Sequence, residues 1–267
     1  MRGGSAGQCH GDAVPPRAQR EGGIEHIAQF YPNLMRVLAV IPARGGSKRL
    51  PGKNTRPLFD KPLIAWTISF AQTIPWFSDI QLSTDSAEIA EVGRHAGLDV
   101  SRLRPAELAQ DKTASLDVVL ELLDYLSKVG REFDAVALLQ PTTPVRFQTR
   151  WQSAFDLLAE EDCDGVIGVS MASTHPYLAY REGTSGCLEA WVDNSTGITR
   201  SQDYPPAYAV NGALYLTKVR TLREQGTFTP KRCRSVLCSE AVENIDIDTL
   251  FDWRVAELLI DDWMKTK

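Results

Sequence analysis

Residues 37–54 read VLAVIPARGGSKRLPGKN, an apolar run that passes directly into a loop. From position 43 to position 54 the loop has four cations, three glycines and no acidic residue. Glycines let backbone N–H groups approach phosphate oxygens closely, and cationic side chains neutralise the phosphate charge. We therefore expect a buried strand that opens into a binding loop for a polyanion, such as a nucleoside triphosphate.

Two well-known phosphate motifs do not fit this loop. The P-loop needs four residues between its first Gly and the Gly-Lys pair, and then Ser or Thr, whereas five residues separate Gly46 from Gly52 and Asn54 follows Lys53. The dinucleotide fingerprint opens a helix directly, but prolines at 51, 57 and 62 delay a long helix. The loop is thus a phosphate site of another class, or a solvated basic turn, since charge runs usually face water.

Length and composition restrict the class of protein. The 267 residues suffice for one α/β domain with a small elaboration. The net charge of −5 makes the basic loop a local feature, so we expect no nucleic-acid partner. Because no segment approaches the about 18 uninterrupted apolar residues of a membrane span, we expect no membrane association. The five cysteines are scattered without CxxC spacing, which argues against disulfides or zinc and favours a cytoplasmic protein.

The first 34 residues differ from the rest. They are rich in Gly and Pro among polar residues and show neither helical nor strand periodicity. Such composition predicts a disordered leader over residues 1–34. We expect either that Met35 is the natural start or that the leader is dispensable, with one domain over residues 35–267.

The spacing of apolar residues predicts strands and helices in alternation. After the first strand, we expect strands at 79–84, 98–101, 135–139, 164–170 and 234–238, with an extended segment at 244–249. We expect helices at 62–71, 86–96, 115–126, 148–158 and 250–263. This alternation indicates an α/β fold with a mostly parallel sheet covered on both faces. Ligands then bind at the carboxyl ends of the strands, where the unusual loops of this chain fall.

Residues 174–215 break that alternation. The segment is rich in Pro, Tyr, Gly and Asn, with short strand-like pieces at 177–180, 188–192 and 214–216. We interpret it as an inserted antiparallel arm that packs on a second subunit. A mobile surface loop is an equally good interpretation of the composition alone.

Asp246 and Asp248 are the second candidate site. In an extended segment, residues two apart point to the same side, so both carboxylates would converge while Ile245 and Ile247 face the core. A hard divalent cation such as Mg²⁺ would relieve their repulsion. The alternatives are an exposed strand edge or a helix N-cap formed by Asp248 or Thr249.

A third loop, residues 103–115, precedes a predicted helix. Asp111 or Thr113 can cap that helix, and its free N–H groups can meet a ligand. Arg104 can donate through its fork to a base carbonyl or a phosphate.

Taken in chain order, these segments resemble the cytidylyltransferases that activate nine-carbon α-keto acid sugars, the CMP-N-acetylneuraminate synthetase family. The resemblance runs from Val37 to about Leu259, and it is carried by residues 41–54, 83–85, 104–109, 138–142, 211–213 and 245–248. It implies a Rossmann-like nucleotidyltransferase fold with a mostly parallel sheet and an inserted antiparallel dimerisation arm. It also implies a homodimer.

The resemblance further implies the reaction and the residues that carry it. CMP would pass from CTP to the anomeric hydroxyl of a nonulosonate sugar acid, with release of pyrophosphate. The nucleotide would be bound by Ala43, Arg44, Gly45, Gly46, Ser47, Lys53, Asn54, Arg104 and Ser115. The sugar acid would be faced by Gln140, Arg200, Gln202 and Asn211. Asp246 and Asp248 would hold Mg²⁺, and Arg44, Lys53 and Asp248 would be catalytic.

One departure from the family leaves the acceptor open. Many sialate-activating members carry an arginine shortly before the Asn-Gly-Ala segment, whereas this chain has Ala209 and Val210. N-acetylneuraminate, legionaminate, pseudaminate or another relative therefore fits. Two other functions remain open: a cytidylyltransferase for the eight-carbon sugar acid of lipopolysaccharide, which the paired Gly45 and Gly46 disfavour, and a non-catalytic CTP sensor. The enzyme requires Lys53 and Asp248 to meet on one face of the fold.

Overall fold

The computed structural model describes residues 35–194 and 197–266. The predicted disordered leader, residues 1–34, lies outside the described residues. The strands are β1 (Val37–Pro42), β2 (Pro57–Leu58), β3 (Lys61–Pro62), β4 (Phe77–Ser83), β5 (Ala135–Leu138), β6 (Gly165–Met171), β7 (Tyr180–Glu182), β8 (Leu188–Ala190), β9 (Tyr208–Lys218) and β10 (Cys233–Leu237). The α-helices are α1 (Leu63–Thr73), α2 (Ala87–His95), α3 (Ser115–Lys128), α4 (Gln148–Leu158), α5 (Val219–Gln225) and α6 (Leu250–Lys265).

Six strands form the central sheet in the order β10-β6-β9-β5-β1-β4. β1 is parallel to β4 and β5, and β10 is parallel to β6, whereas β9 runs antiparallel to both of its neighbours. The predicted α/β fold with a mostly parallel sheet is confirmed. The parallel strands β1, β4 and β5 end at the same edge, so the loops that follow them meet there.

Both faces of the sheet are buried, as β1 shows. Val37, Ala39 and Ile41 pack in a cluster with α1, α2 and α4, while Leu38 and Val40 pack on the other side with α3 and α5. Because successive strand residues point to opposite faces, a strand that is apolar at every position needs a helix layer on each side. None of the helices in the described part of the chain has the length and apolarity that a membrane crossing requires.

A third apolar cluster lies outside these two layers. Leu50 of the basic loop packs there with Ile245, Ile247 and Trp253 of α6. Ile247 is fully buried and Asp246 is exposed, which confirms the predicted alternation at 245–247. Burial of a leucine stabilises the folded state by about 2 kcal/mol, so Leu50 fixes the basic loop against the segment that carries the aspartates.

Two local predictions differ from the structure. Residues 98–101 form no strand, although Val100 is buried. The segment predicted to be extended, residues 244–249, follows a 3₁₀ turn at Ala241–Asn244, and its backbone is extended at Ile245. Residues 214–216, expected in the arm, belong to β9 in the middle of the central sheet, and the antiparallel hairpin of the arm consists of β7 and β8.

Candidate active site

A cleft of about 350 Å³ opens at the carboxyl ends of β1, β4 and β5. It brings together predicted nucleotide, sugar and metal residues from distant parts of the chain: Arg44, Ser47, Lys53, Asn54, Arg104, Ser115, Gln140, Asp246 and Asp248. Ala43, Gly45 and Gly46 lie in the same loop but do not line the cleft.

Lys53 and Asp248 meet inside this cleft. The Lys53 ammonium donates to Asp248 Oδ1 at 2.8 Å and to the Ile247 carbonyl at 2.7 Å. Lys53 is only 8% exposed. Arg49 pairs with the other oxygen of Asp248, but its side chain is 68% exposed. The basic loop and the aspartate segment therefore lie on one face of the fold, as the enzyme hypothesis requires.

Hydrogen bonds hold the basic loop in shape. Asn54 Nδ2 donates to the Arg44 carbonyl at 3.1 Å, and the Gly45 N–H donates to Asp85 Oδ1 at 2.9 Å. A Cβ atom at Gly45 would lie 3.0 Å from Ser86 Cβ, whereas one at Gly46 would meet nothing within 4 Å. Gly45 therefore serves close packing, whereas a side chain at position 46 would find open space.

The outer cations of the loop are paired with Asp111. Arg44 and Lys48 each contact one oxygen of this carboxylate. Hydrogen bonds from Lys48 and Arg44 lower the pKa of Asp111. The expectation that Asp111 or Thr113 caps α3 is wrong, since Ala114 is the N-cap and no side chain caps the helix. The start of α3 consequently presents uncapped backbone to the cleft beside Ser115, which suits an anionic ligand.

Arg104 is held from behind by the end of β4. Its Nε donates to Ser83 Oγ at 3.0 Å and one terminal nitrogen donates to the Ser83 carbonyl at 2.5 Å. Burial lowers the pKa of Arg104 from its ordinary value, and the nearby carboxylates of Asp85 and Glu121 oppose that effect. The fork expected to point at a base or phosphate is largely used to fix the side chain in the cleft wall.

The predicted sugar residues separate into two groups. Gln140 lines the cleft, but Arg200 and Gln202 are exposed near the 3₁₀ turn Ser201–Asp203 and do not line it. Asn211 also lies outside the lining, and its Nδ2 donates to Asn244 Oδ1 at 2.7 Å. Asn211 thereby ties β9 to the segment that precedes the aspartates. The sugar roles of these residues stay predictions.

Gly212 lets β9 pass close to Gln140. Its φ is +76°, and a Cβ atom there would lie 3.1 Å from Gln140 Oε1. A side chain at this position would therefore be strained and would crowd Gln140.

Sequence reasoning missed Arg146, which lies directly behind Gln140. Its guanidinium donates to the carbonyls of Gln140 at 2.6 Å and Ala213 at 3.0 Å, and to Thr67 Oγ1 at 3.2 Å. Burial lowers its pKa to about 9. The sequence feature that could have revealed it is the position of Arg146 between the apolar residues Val145 and Phe147, where a solvent-exposed charge is not expected.

The two aspartates fit a metal that also binds substrate. Within residues 35–194 and 197–266, no group of three or more His, Cys, Asp or Glu side chains is placed to hold a metal alone. Asp246 is exposed at the cleft and forms none of the ion pairs found in those residues, while Asp248 is paired with Lys53 and Arg49. Mg²⁺ is commonly bound by one or two carboxylates plus substrate phosphates, so this donor set suits it. Thr249, rather than Asp248, caps α6.

Comparison with known proteins identifies the family of this chain. A model of the cytidylyltransferase family matches residues 38–178. CMP-N,N'-diacetyllegionaminic acid synthase of Legionella pneumophila subsp. pneumophila is 37% identical over 230 residues, covering 85% of this chain and 97% of the relative. N-acylneuraminate cytidylyltransferase A of Danio rerio is 30% identical over 248 residues, covering 93% of this chain and 53% of the relative.

A solved structure supports the fold. CMP:2-keto-3-deoxy-manno-octonic acid synthetase in complex with CTP superposes with a TM-score of 0.62 at 17% identity, covering 85% of this chain and 99% of that one. At that identity the likeness concerns the fold alone. The sequence matches and the shared architecture together show that this chain is a nucleotidyltransferase belonging to the cytidylyltransferase family.

Proposed function

We propose that this protein transfers CMP from CTP to the anomeric hydroxyl of a nine-carbon α-keto acid sugar and releases pyrophosphate. The observation that carries the proposal is the 2.8 Å contact between Lys53 Nζ and Asp248 Oδ1 in a cleft that Arg44 and Arg104 also line. The acceptor class is supported by the names of the relatives, which include a diacetyllegionaminic acid synthase and an N-acylneuraminate cytidylyltransferase.

The reaction places a large negative charge in the cleft. The acceptor hydroxyl gives up its proton to solvent and attacks the α-phosphorus of CTP in line. The new P–O bond forms, and the bond from the α-phosphorus to the oxygen that bridges to the β-phosphate breaks, so pyrophosphate leaves. Such transfer depends on positioning and on neutralising charge at the transferred group and the leaving oxygens. In this proposal Lys53 and Arg44 neutralise the pyrophosphate, and Ser115 contacts the nucleoside half.

Asp246 and Asp248 would hold Mg²⁺. When bound, the ion would neutralise negative charge on the α-phosphate and lower the pKa of a hydroxyl coordinated to it. Asp248 must exchange a partner to bind it. Arg49 is the partner that can leave, because its side chain is 68% exposed and an exposed ion pair contributes little. Lys53, with 10% of its side chain exposed, stays in place.

A panel assay tests the proposed reaction. Purified protein is incubated with CTP and Mg²⁺ and with N-acetylneuraminate, legionaminate, pseudaminate or the eight-carbon acid of lipopolysaccharide, and the products are identified by mass spectrometry. We expect pyrophosphate and a CMP-sugar only when CTP, Mg²⁺ and a nine-carbon acid are all present. Turnover of the eight-carbon acid alone would reassign the acceptor. CTP binding without any nucleotide sugar would indicate a sensor.

We also propose a homodimer formed through the arm. Large apolar side chains are exposed on the arm and on the adjoining ends of β6 and β9: Met171, Leu178, Tyr180, Leu188, Trp191, Val192, Tyr208 and Val210. Leu188 is 71% exposed and Trp191 is 65% exposed. Exposed apolar side chains grouped in this way are typical of a protein–protein interface.

We predict that Leu188→Asp converts the dimer to a monomer, because it places a charge in the apolar contact. Light scattering after size-exclusion chromatography measures the mass. Leu258→Asp is the matched control, since Leu258 is 62% exposed but lies on α6. If both variants and the parent have the same mass, the arm is not the interface.

We infer a cytoplasmic enzyme without a nucleic-acid partner. Support comes from the net charge of −5, which disfavours binding to a polyanionic surface, and from the scattered cysteines. Cys163 and Cys238 are buried free thiols, as expected for a chain that folds under reducing conditions.

A further inference from the structure

Arg146 lies inside the protein with only neutral hydrogen-bond partners. Its residue is 7% exposed, and its guanidinium contacts two backbone carbonyls and one hydroxyl. Among residues 35–194 and 197–266, Cys238 is the one titratable group found to act on the pKa of Arg146, and burial raises the pKa of that thiol, which keeps it protonated.

Other buried charges in the described part of the chain all have an opposite charge nearby. Lys53 pairs with Asp248, Asp164 with Arg232, and Glu243 with Arg150. Arg104 interacts with Asp85 and Glu121. Arg146, by contrast, has neither an ion pair with a carboxylate of the described residues nor a longer-range interaction with one. An unpaired buried charge destabilises the folded state. Residues that destabilise the folded state in this way are often found at functional sites.

The position of Arg146 indicates what this charge can serve. Its guanidinium donates to the carbonyl of Gln140 on the loop after β5 and to the carbonyl of Ala213 on β9, so it ties β9 to the loop that lines the cleft. Gln140 itself lines the cleft. The charge therefore lies one residue behind the cleft wall, shielded from solvent, where it is screened weakly by salt.

We propose that Arg146 is a positioning residue that draws the carboxylate of the sugar acid to the wall formed by residues 140–142. This inference rests on the proposed function. The carboxylate supplies the negative charge that the interior lacks, and the hydrogen bonds from Arg146 keep Gln140 and Ala213 at a fixed separation while the acceptor binds. Arg146 acts through the wall and does not touch the reacting atoms.

The experiment compares an acidic acceptor with its uncharged ester. N-acetylneuraminate and its methyl ester are used, or the same pair for whichever acid the panel assay identifies. Both keep the anomeric hydroxyl and differ in charge. Kinetics are measured for the parent protein, for Arg146→Met, which removes the charge, and for Arg146→Lys, which keeps a charge but loses the planar fork. CTP affinity is measured by calorimetry for each protein.

We expect the parent to prefer the acid. Arg146→Met should lower kcat for both acceptors, because it removes the hydrogen bonds to Gln140 and Ala213 together with the charge. It should lower kcat/KM for the acid about tenfold more than that for the ester, equal to about 1.4 kcal/mol, and leave the CTP affinity nearly unchanged. Arg146→Lys should lower kcat for both acceptors, because lysine cannot make all the hydrogen bonds of the guanidinium, but it should keep the full preference for the acid.

Other outcomes would overturn the inference. If Arg146→Met lowers acid and ester equally, the residue has a structural role only. If the methionine variant does not fold, the inference is tested on the parent and the lysine variant. If the parent has equal kcat/KM values for the ester and the acid, the charge of the acceptor is not selected and the inference is wrong. Failure of the proposed function looks different, because the parent would then turn over neither acceptor.

Discussion

Replacing Lys53 with methionine is expected to lower kcat/KM for CTP by about a thousandfold. Methionine keeps most of the volume of the lysine chain but removes the ammonium that lies 2.8 Å from Asp248 Oδ1. A positive charge preorganised in a buried site stabilises charge that develops in the transition state, and loss of one such donor costs about 10²–10³ in rate. Loss of the counter-charge to Asp248 adds to this effect. Pyrophosphate release at limiting CTP gives the value.

Arg49→Met is the matched control for Lys53→Met. Arg49 pairs with the same carboxylate, but its side chain is 68% exposed where that of Lys53 is 10% exposed. Solvent screens an exposed cation, so we expect a change of less than about tenfold. Similar losses of kcat/KM in both variants would show that Lys53 and Arg49 act alike, by neutralising Asp248, and that the burial of Lys53 gives it no special role. An unchanged rate in Lys53→Met would remove the triphosphate role.

Asp246→Asn is expected to raise the Mg²⁺ concentration for half-maximal activity, with kcat at millimolar Mg²⁺ falling about a hundredfold or more. The amide keeps the shape of the side chain but loses the charge that a hard cation requires. Asp246 is a cleaner probe of the metal than Asp248, because it is exposed at the cleft and Asp248 also neutralises Lys53. Activity is titrated with Mg²⁺ at saturating CTP, and thermal unfolding is followed in parallel.

Asp99→Asn serves as the control for this substitution. Asp99 is exposed and is absent from the cleft lining, so its loss changes net charge by the same amount without touching the site. We expect normal Mg²⁺ activation and an unchanged melting temperature. A normal Mg²⁺ titration in Asp246→Asn would exclude that carboxylate as a ligand.

The parts of the fold that local sequence encodes were predictable. β1 is apolar at every position and is followed by glycines and cations, so its burial on both faces and the binding loop after it could be inferred. The alternation of Ile245, Asp246 and Ile247 likewise encodes which side faces the core. In both cases the period of the apolar residues carries the information.

Long-range pairing could not be inferred in the same way. β9 lies between β5 and β6, and nothing within residues 208–218 specifies which strands it joins. Asp111 was expected at a helix cap but pairs with Arg44, 67 residues away. The burial of Arg146 depends on Thr67 and Ala213, which come from opposite halves of the chain. These contacts arise from tertiary packing, which overrides local propensity.

Strand β9 connects the exposed arm with the surroundings of Gln140. At one end it exposes Tyr208 beside the arm, and four residues later Gly212 passes Gln140 at the cleft. One continuous stretch of backbone thus serves both places. In the proposed dimer, any effect of association on acceptor affinity is reciprocal: saturation with the sugar acid shifts the monomer–dimer equilibrium by the same factor by which dimerisation alters acceptor binding.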